Sequence, residues 1–239
     1  RRRQMKYITA SLWAGALALG FSGVAHAGLQ NGPFDFTVWS GEYQNGVTYI
    51  ANLASMPTIT PTATFTYTGP IDFLNNLHAT STNNNNSAGQ FFGALASNIT
   101  NFSSPNSAYT SLAAFLSGDQ LSTAGEAGSA LNTYMRITGV YTSTPGETVT
   151  VSHDDGASLY VGNTTVFSSA GPTAEVASTG ILPTASSPTD FTLIYVESNG
   201  APADLVMTVP EPSEFLLFGS ALALLGLTLR GRRAGQKPV

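Results

Sequence analysis

The sequence contains no cysteine in its 239 residues. That excludes a disulfide framework and thiol catalysis, and it leaves stability to a packed core, helped at most by a bound ion. Positive charge is nearly as scarce. Between Lys6 and Arg230 the only basic residue other than histidine is Arg136, whereas positions 28–209 carry seven Asp and five Glu. A single cation cannot neutralise a run of phosphates, so nucleic-acid binding is excluded. An anionic membrane surface would also repel this stretch. Catalytic signatures are missing as well. There is no H-E-x-x-H, no G-x-S-x-G and no phosphate-cradling glycine loop, and His78 and His153 stand without a serine-bearing elbow.

Long apolar runs occur only near the two ends. "SLWAGALALGF" (11–21) follows Met5 and Lys6 and precedes "AHA", where Ala25 and Ala27 form a small-x-small cleavage site. An apolar stretch of roughly ten residues is too short for a stable span, so residues 1–27 read as a signal peptide that is removed. At the other end, positions 215–229 carry no charge and are followed by Arg230, Arg232 and Arg233. As a helix this run reaches roughly 22 Å, short of the ~30 Å hydrocarbon core. The arginines hold its end on the cytoplasmic side and place the body on the far side of the membrane.

The 182 residues of 28–209 suffice for one sizeable core, and their apolar pattern has period two. "FDFTVW" (34–39), "TATFTYTG" (62–69), "YMRITGVY" (134–141), "TVTVSH" (148–153), "SLYVG" (158–162) and "DFTLIYVE" (190–197) read as strands. The turn clusters "STPGE", "DDG", "GN" and "SNG" bound them. Short strands at this spacing predict an all-β sandwich. A helix is predicted within 107–118, where Tyr109, Leu112, Ala113 and Leu116 fall at helical spacing, and a weaker one over 71–78. The polar tract "TSTNNNNSAG" (80–89) reads as a loop, and 70–132 as an insertion or lid holding the helices.

Two stretches resemble known families. "VPEP" (Val209, Pro210, Glu211, Pro212), followed by the short apolar run and the arginines, resembles the PEP-CTERM sorting signal over 209–233. That resemblance implies processing by an exosortase, a membrane-embedded transpeptidase-like enzyme of Gram-negative bacteria that make exopolysaccharide. It implies delivery to the cell surface or extracellular matrix after a transient inner-membrane tether. The two prolines keep the approach to the membrane extended, which suits a processing enzyme. "MRITGVYTSTPGETVTVSHDDGASLYVGNTTVF" (135–167), with "FTLIYVESNGAPADLVM" (191–207), resembles the PA14 family, most clearly over 134–207. That implies a PA14-like β-sandwich and a binding role toward carbohydrate or exopolysaccharide in a biofilm. The alternatives are a carbohydrate-active enzyme or a structural surface protein without a ligand.

In sugar-binding members of that family a consecutive Asp pair holds Ca²⁺, which grips sugar hydroxyls. The resemblance therefore nominates Asp154 and Asp155 as metal ligands, with Asn199 of "ESNG" as a third. Calcium takes about six to eight oxygens, so two carboxylates are not a complete site. The other reading of the pair is a turn whose side chains bond local N–H groups. His153 reads as a polar residue at a strand end, since Ca²⁺ avoids nitrogen. "LPTAS" (182–186) reads as a loop and not as a sortase motif.

Overall fold

The computed structural model describes residues 32–42, 50–75, 86–122, 132–143, 146–198 and 200–209. The expected signal peptide with Ala25 and Ala27 falls outside them, as do Asn199 and the tail positions Pro210, Glu211, Pro212, Arg230, Arg232 and Arg233. No helix among the described residues is long and apolar enough to cross a membrane, and the run 215–229 is not among those residues.

The strands are β1 (Phe34–Glu42), β2 (Ala63–Tyr67), β3 (Asp72–Asn75), β4 (Asn86–Ser87), β5 (Ile99–Ser103), β6 (Gln120–Ser122) and β7 (Asn132–Ser143). They continue as β8 (Thr148–Asp154), β9 (Gly156–Val161), β10 (Thr164–Ser169), β11 (Val176–Ile181), β12 (Ala185–Glu197) and β13 (Ala203–Thr208). Two short helices, α1 (Ala88–Phe92) and α2 (Leu112–Gly118), complete the regular structure with two 3₁₀ turns. An antiparallel seven-stranded sheet runs β10-β9-β12-β7-β1-β2-β5, a four-stranded one runs β11-β8-β13-β3, and β4 pairs with β6. Over the described residues the protein is mostly β, with two larger antiparallel sheets, the β4–β6 pair and two short helices.

Alternation explains the layering. In β2, Ala63, Phe65 and Tyr67 are buried while Thr64 and Thr66 are half-exposed. Phe34, Phe36 and Val38 of β1 share the same inner face. From the other sheet Phe73 meets Phe36 edge-on at 6.0 Å, and Phe36 stacks on Phe65 at 4.9 Å. Each such ring contributes about 1.5–3 kcal/mol by leaving water. A smaller cluster lies on the outer face of the large sheet, where Trp39 packs edge-on against Tyr134 at 5.7 Å. The segment 50–62 covers it, tied down by Trp39 Nε1–H to the Ile59 carbonyl (2.9 Å) and Tyr134 Oη–H to the Asn52 carbonyl (2.7 Å).

Several expectations need correction; the tract 80–89, expected as a loop, forms at 86–89 the strand β4 and the start of α1. The helix anticipated over 71–78 is, at 72–75, the strand β3. Phe73 and Asn75 point inward while Asp72 and Leu74 point outward, and β13 supplies the hydrogen-bonding partner. The helix anticipated over 107–118 is confined to α2. Ser111 caps it, its side chain accepting from Ala114 N–H, so Tyr109 lies ahead of the helix and packs edge-on against Phe115 at 5.6 Å. Nor is 70–132 an insertion apart from the sandwich, because it gives β3 to the small sheet and β5 to the large one.

Strand direction separates the two ends of the sandwich. β13 runs from Asp204, paired with Asp154, to Thr208, paired with Thr150. β1 runs toward Trp39, which pairs with Tyr134, which pairs with Val196, which pairs with Gly156. The described chain therefore enters and leaves at the end opposite Asp154 and Gly156. Val209 is buried in the core there, so the first residue of the "VPEP" stretch belongs to the folded body.

Candidate functional site

β8 ends at Asp154 and β9 begins at Gly156, which leaves Asp155 alone at the corner. The Asp154–Asp155 peptide bond is cis. The corner is fixed from several sides. The Asp155 Oδ2 carboxylate accepts from Ser198 N–H at 2.6 Å, a partner 43 residues away. The Asp154 carboxylate accepts from the backbone N–H of Glu175. Both side chains are thus tied to segments distant in sequence, next to β11 and just after β12.

The two carbonyls of the pair are also held. His153 is fully buried at the end of β8 and stacks on Phe167. Its Nδ1 lies 2.5 Å from the Asp155 carbonyl, and its Nε2 lies 2.8 Å from Ser178 Oγ. A carbonyl only accepts, so Nδ1 carries the hydrogen and Nε2 accepts from the serine. Burial lowers the histidine's pKa, which favours that neutral form. His153 is a strut behind the pair, and both its nitrogens are already used. From the other side the Tyr195 hydroxyl donates to the Asp154 carbonyl at 2.5 Å.

Gly156 is required by space. A Cβ there would sit 2.6 Å from the Ala170 carbonyl oxygen, and Ala51 N–H holds that carbonyl in place at 2.8 Å.

Asp154 and Asp155 line one cavity of about 330 Å³, with Pro172, Thr173 and Ala174 on one flank and Ser198, Gly200, Ala201 and Pro202 on the other. Acid accumulates beside it. Asp204 faces Asp154 across the β13–β8 ladder and is 5 % exposed. Burial lifts both carboxyls to about 6, and the neighbouring Glu175 charge adds to the rise. Glu197 is fully buried and its pKa is raised well above the usual carboxylate range, by burial first and then by the Asp155 charge.

The donors suit a hard cation, because two adjacent carboxylates line the cavity. The count does not reach a complete site. Among the described residues no three His, Asp or Glu side chains are placed to hold one metal ion together. Asp154 and Asp155 both line the cavity. Asn199 is not among the described residues, although its neighbours Ser198 and Gly200 line the cavity. Any further ligands would be backbone carbonyls, Asn199, water or the hydroxyls of a bound sugar.

Sequence reasoning missed Tyr195, Glu197, Ser122, Glu175 and Asp204. For two of these a signal existed. In "DFTLIYVE" the inward face carries Phe191, Leu193 and Tyr195, and the same period of two puts Glu197 next on that face.

No family model and no curated protein matches the sequence. Among solved structures the chain is similar to a "PA14 sugar-binding domain from RTX adhesin" (18 % identity, TM-score 0.49, covering 77 % of this chain and 90 % of that one). It is also similar to the "PA14 domain of MpAFP Antifreeze protein" (12 % identity, TM-score 0.40, covering 75 % and 82 %). A third is the GH31 α-xylosidase Xac1773 from Xanthomonas citri (10 % identity, TM-score 0.28), where 79 % of this chain aligns with 16 % of the enzyme.

Proposed function

We propose that this chain is an exported, PA14-like carbohydrate-binding domain whose Asp154–Asp155 corner holds Ca²⁺, and that the ion grips vicinal hydroxyls of an envelope or matrix polysaccharide. The observation that carries the reading is the juxtaposition of two adjacent carboxylates on the wall of one cavity, with both their carbonyls and both their side chains hydrogen-bonded to residues around them. The hydrogen bonds that hold the pair reduce the ordering cost of binding an ion. Asp155 and Asp154 supply charge, while Asn199 and the carbonyls of 198–202 are the nearest candidates for the remaining oxygens.

A binding role is preferred over hydrolysis of glycosidic bonds. That chemistry uses two carboxyl groups roughly 5–9.5 Å apart with the sugar between them. Among the described residues lining the cavity the only acids are Asp154 and Asp155, adjacent in sequence on one wall.

The chain direction supports a display role. Val209, the first residue of the "VPEP" stretch, is buried in the core at the end opposite the cavity. In this reading an exosortase acts on that tail from the inner membrane, Arg230, Arg232 and Arg233 hold the cytoplasmic side, and the cavity points outward. Retention of the purified domain on immobilised polysaccharide from a matrix-forming Gram-negative bacterium is the test. Retention in Ca²⁺ that is lost in chelator supports the proposal. Equal retention in both, or turnover of the polysaccharide abolished by Asp154→Asn, contradicts it.

A further inference from the structure

Beneath the Asp pair runs a chain of buried polar groups that ends on the backbone of the site. Tyr195 Oη lies 2.5 Å from the Asp154 carbonyl oxygen and 2.6 Å from Glu197 Oε2. Glu197 Oε1 accepts from Ser122 Oγ–H at 2.7 Å. Ser122, Tyr195 and Glu197 are all fully buried.

Hydrogen counting gives this chain a direction. The phenol has one hydrogen and faces two oxygens, the Asp154 carbonyl and Glu197 Oε2. A peptide carbonyl has no hydrogen to give. Both short contacts are satisfied when Glu197 Oε2 brings its own hydrogen to Tyr195 Oη, and Tyr195 passes its hydrogen to Asp154. Every polar atom in the run is then paired, and the run terminates at the carbonyl of the first aspartate. A core that only needed filling would place apolar groups here, since a buried carboxyl has to be fully partnered to avoid a cost.

We propose that Glu197 is a positioning residue for the ion and sugar site, acting through the Tyr195 hydroxyl to fix the Asp154 carbonyl, with Ser122 holding Glu197 in turn. Outer partners of this kind set the orientation of metal ligands, and losing one costs about 10–100-fold in affinity. The proposal rests on the reading of Asp154 and Asp155 as the binding pair, so its test carries one measurement that needs no ion.

Three variants suffice. Tyr195→Phe removes one hydroxyl from a buried ring. Glu197→Gln keeps the shape, with an amide that donates to Tyr195 and a carbonyl that accepts from Ser122. Glu197→Leu removes both functions. Each is compared with the parent by Ca²⁺ titration calorimetry, by melting temperature without ion, and by amide exchange at Asp155 and Gly156 without ion. Tyr195→Phe and Glu197→Leu are expected to weaken Ca²⁺ binding about tenfold or more and to speed exchange at the two amides, while Glu197→Gln stays near the parent in both. Lower melting temperatures with unchanged Ca²⁺ affinity and unchanged exchange would make the chain a structural feature only and overturn the proposal. If the parent itself binds no Ca²⁺, the binding reading fails and exchange decides the strut alone. Faster exchange in Tyr195→Phe and Glu197→Leu with recovery in Glu197→Gln upholds it, and uniform exchange overturns it.

Discussion

Asp155 and Ser198, 43 residues apart, are joined by a 2.6 Å hydrogen bond from the serine's backbone N–H to the aspartate's Oδ2. The bond ties the corner between β8 and β9 to the end of β12, and both of its partners are buried. It separates two roles of one side chain. Asp155→Ala leaves the Ser198 N–H without its acceptor and is expected to cost about 1–3 kcal/mol. Asp155→Asn retains an accepting oxygen and is expected to cost less than half as much. Denaturant unfolding of the three proteins checks the order; equal losses for both variants would show that the charge, and not the acceptor, holds the corner.

Gly156→Ala forces a methyl group against the Ala170 carbonyl, which Ala51 N–H already fixes. The 170–171 backbone has to shift, at about 1–3 kcal/mol. Calorimetric melting measures the loss. A variant that melts with the parent would mean that the loop yields freely at this point.

Much of the sandwich was legible because its strands alternate. Phe34, Phe36 and Val38, then Phe65 and Tyr67, announce an inner face by period two. β11 was missed because "VASTGI" buries only Gly180 and so carries no alternation to read. β3 was read as a helix because four residues are too few to distinguish the periods, and the decisive partner, β13, lies 130 positions downstream. At the site, "DDG" points to Asp154 and Asp155, but apart from His153 the groups that hold them are distant in sequence: Glu175 ahead of β11, Tyr195 in β12 and Ser198 just after it. Those contacts exist only after the sheets are paired. His153 was read as a strand-end polar residue, and nothing local indicates that Phe167 and Ser178 enclose it.

Asp119 gives the fold a pH dependence that does not involve the cavity. It is 3 % exposed; Oδ1 accepts from Ser40 Oγ–H (2.8 Å) and Tyr109 Oη–H (2.7 Å), while Oδ2 is buried without a partner. Burial raises its pKa, and the two hydrogen bonds only partly oppose that. The folded chain therefore holds this proton more tightly than the unfolded one. The resulting stability is fully present below the unfolded value of about 4 and is lost as pH rises through the folded value. His153, with its lowered pKa, acts in the opposite sense, and it is common to parent and variant. The parent should gain more melting temperature than Asp119→Asn between pH 7 and pH 4. Parallel curves would contradict the assignment.

The tail makes a separate prediction. Val209 is packed in the core, so a processing cut that spares the fold has to fall after it. Under the proposed processing, intact mass of the protein recovered from culture is expected to show a start near Gly28 and the loss of everything from about Phe215. A dominant species that keeps Arg230 to Val239 would favour a permanent anchor over sorting.

The most direct test of the binding reading is Ca²⁺ titration of the chelated domain, followed by calorimetry in the parent and in Asp155→Asn. The parent is expected to show one saturable site and a melting temperature that climbs with added ion, by an amount equivalent to ~2.7 kcal/mol at a hundredfold excess over the dissociation constant. Asp155→Asn should bind at least tenfold more weakly while melting close to the parent without ion. A parent that neither binds Ca²⁺ nor gains stability from it would contradict the reading and leave Asp154 and Asp155 as structural residues of the corner.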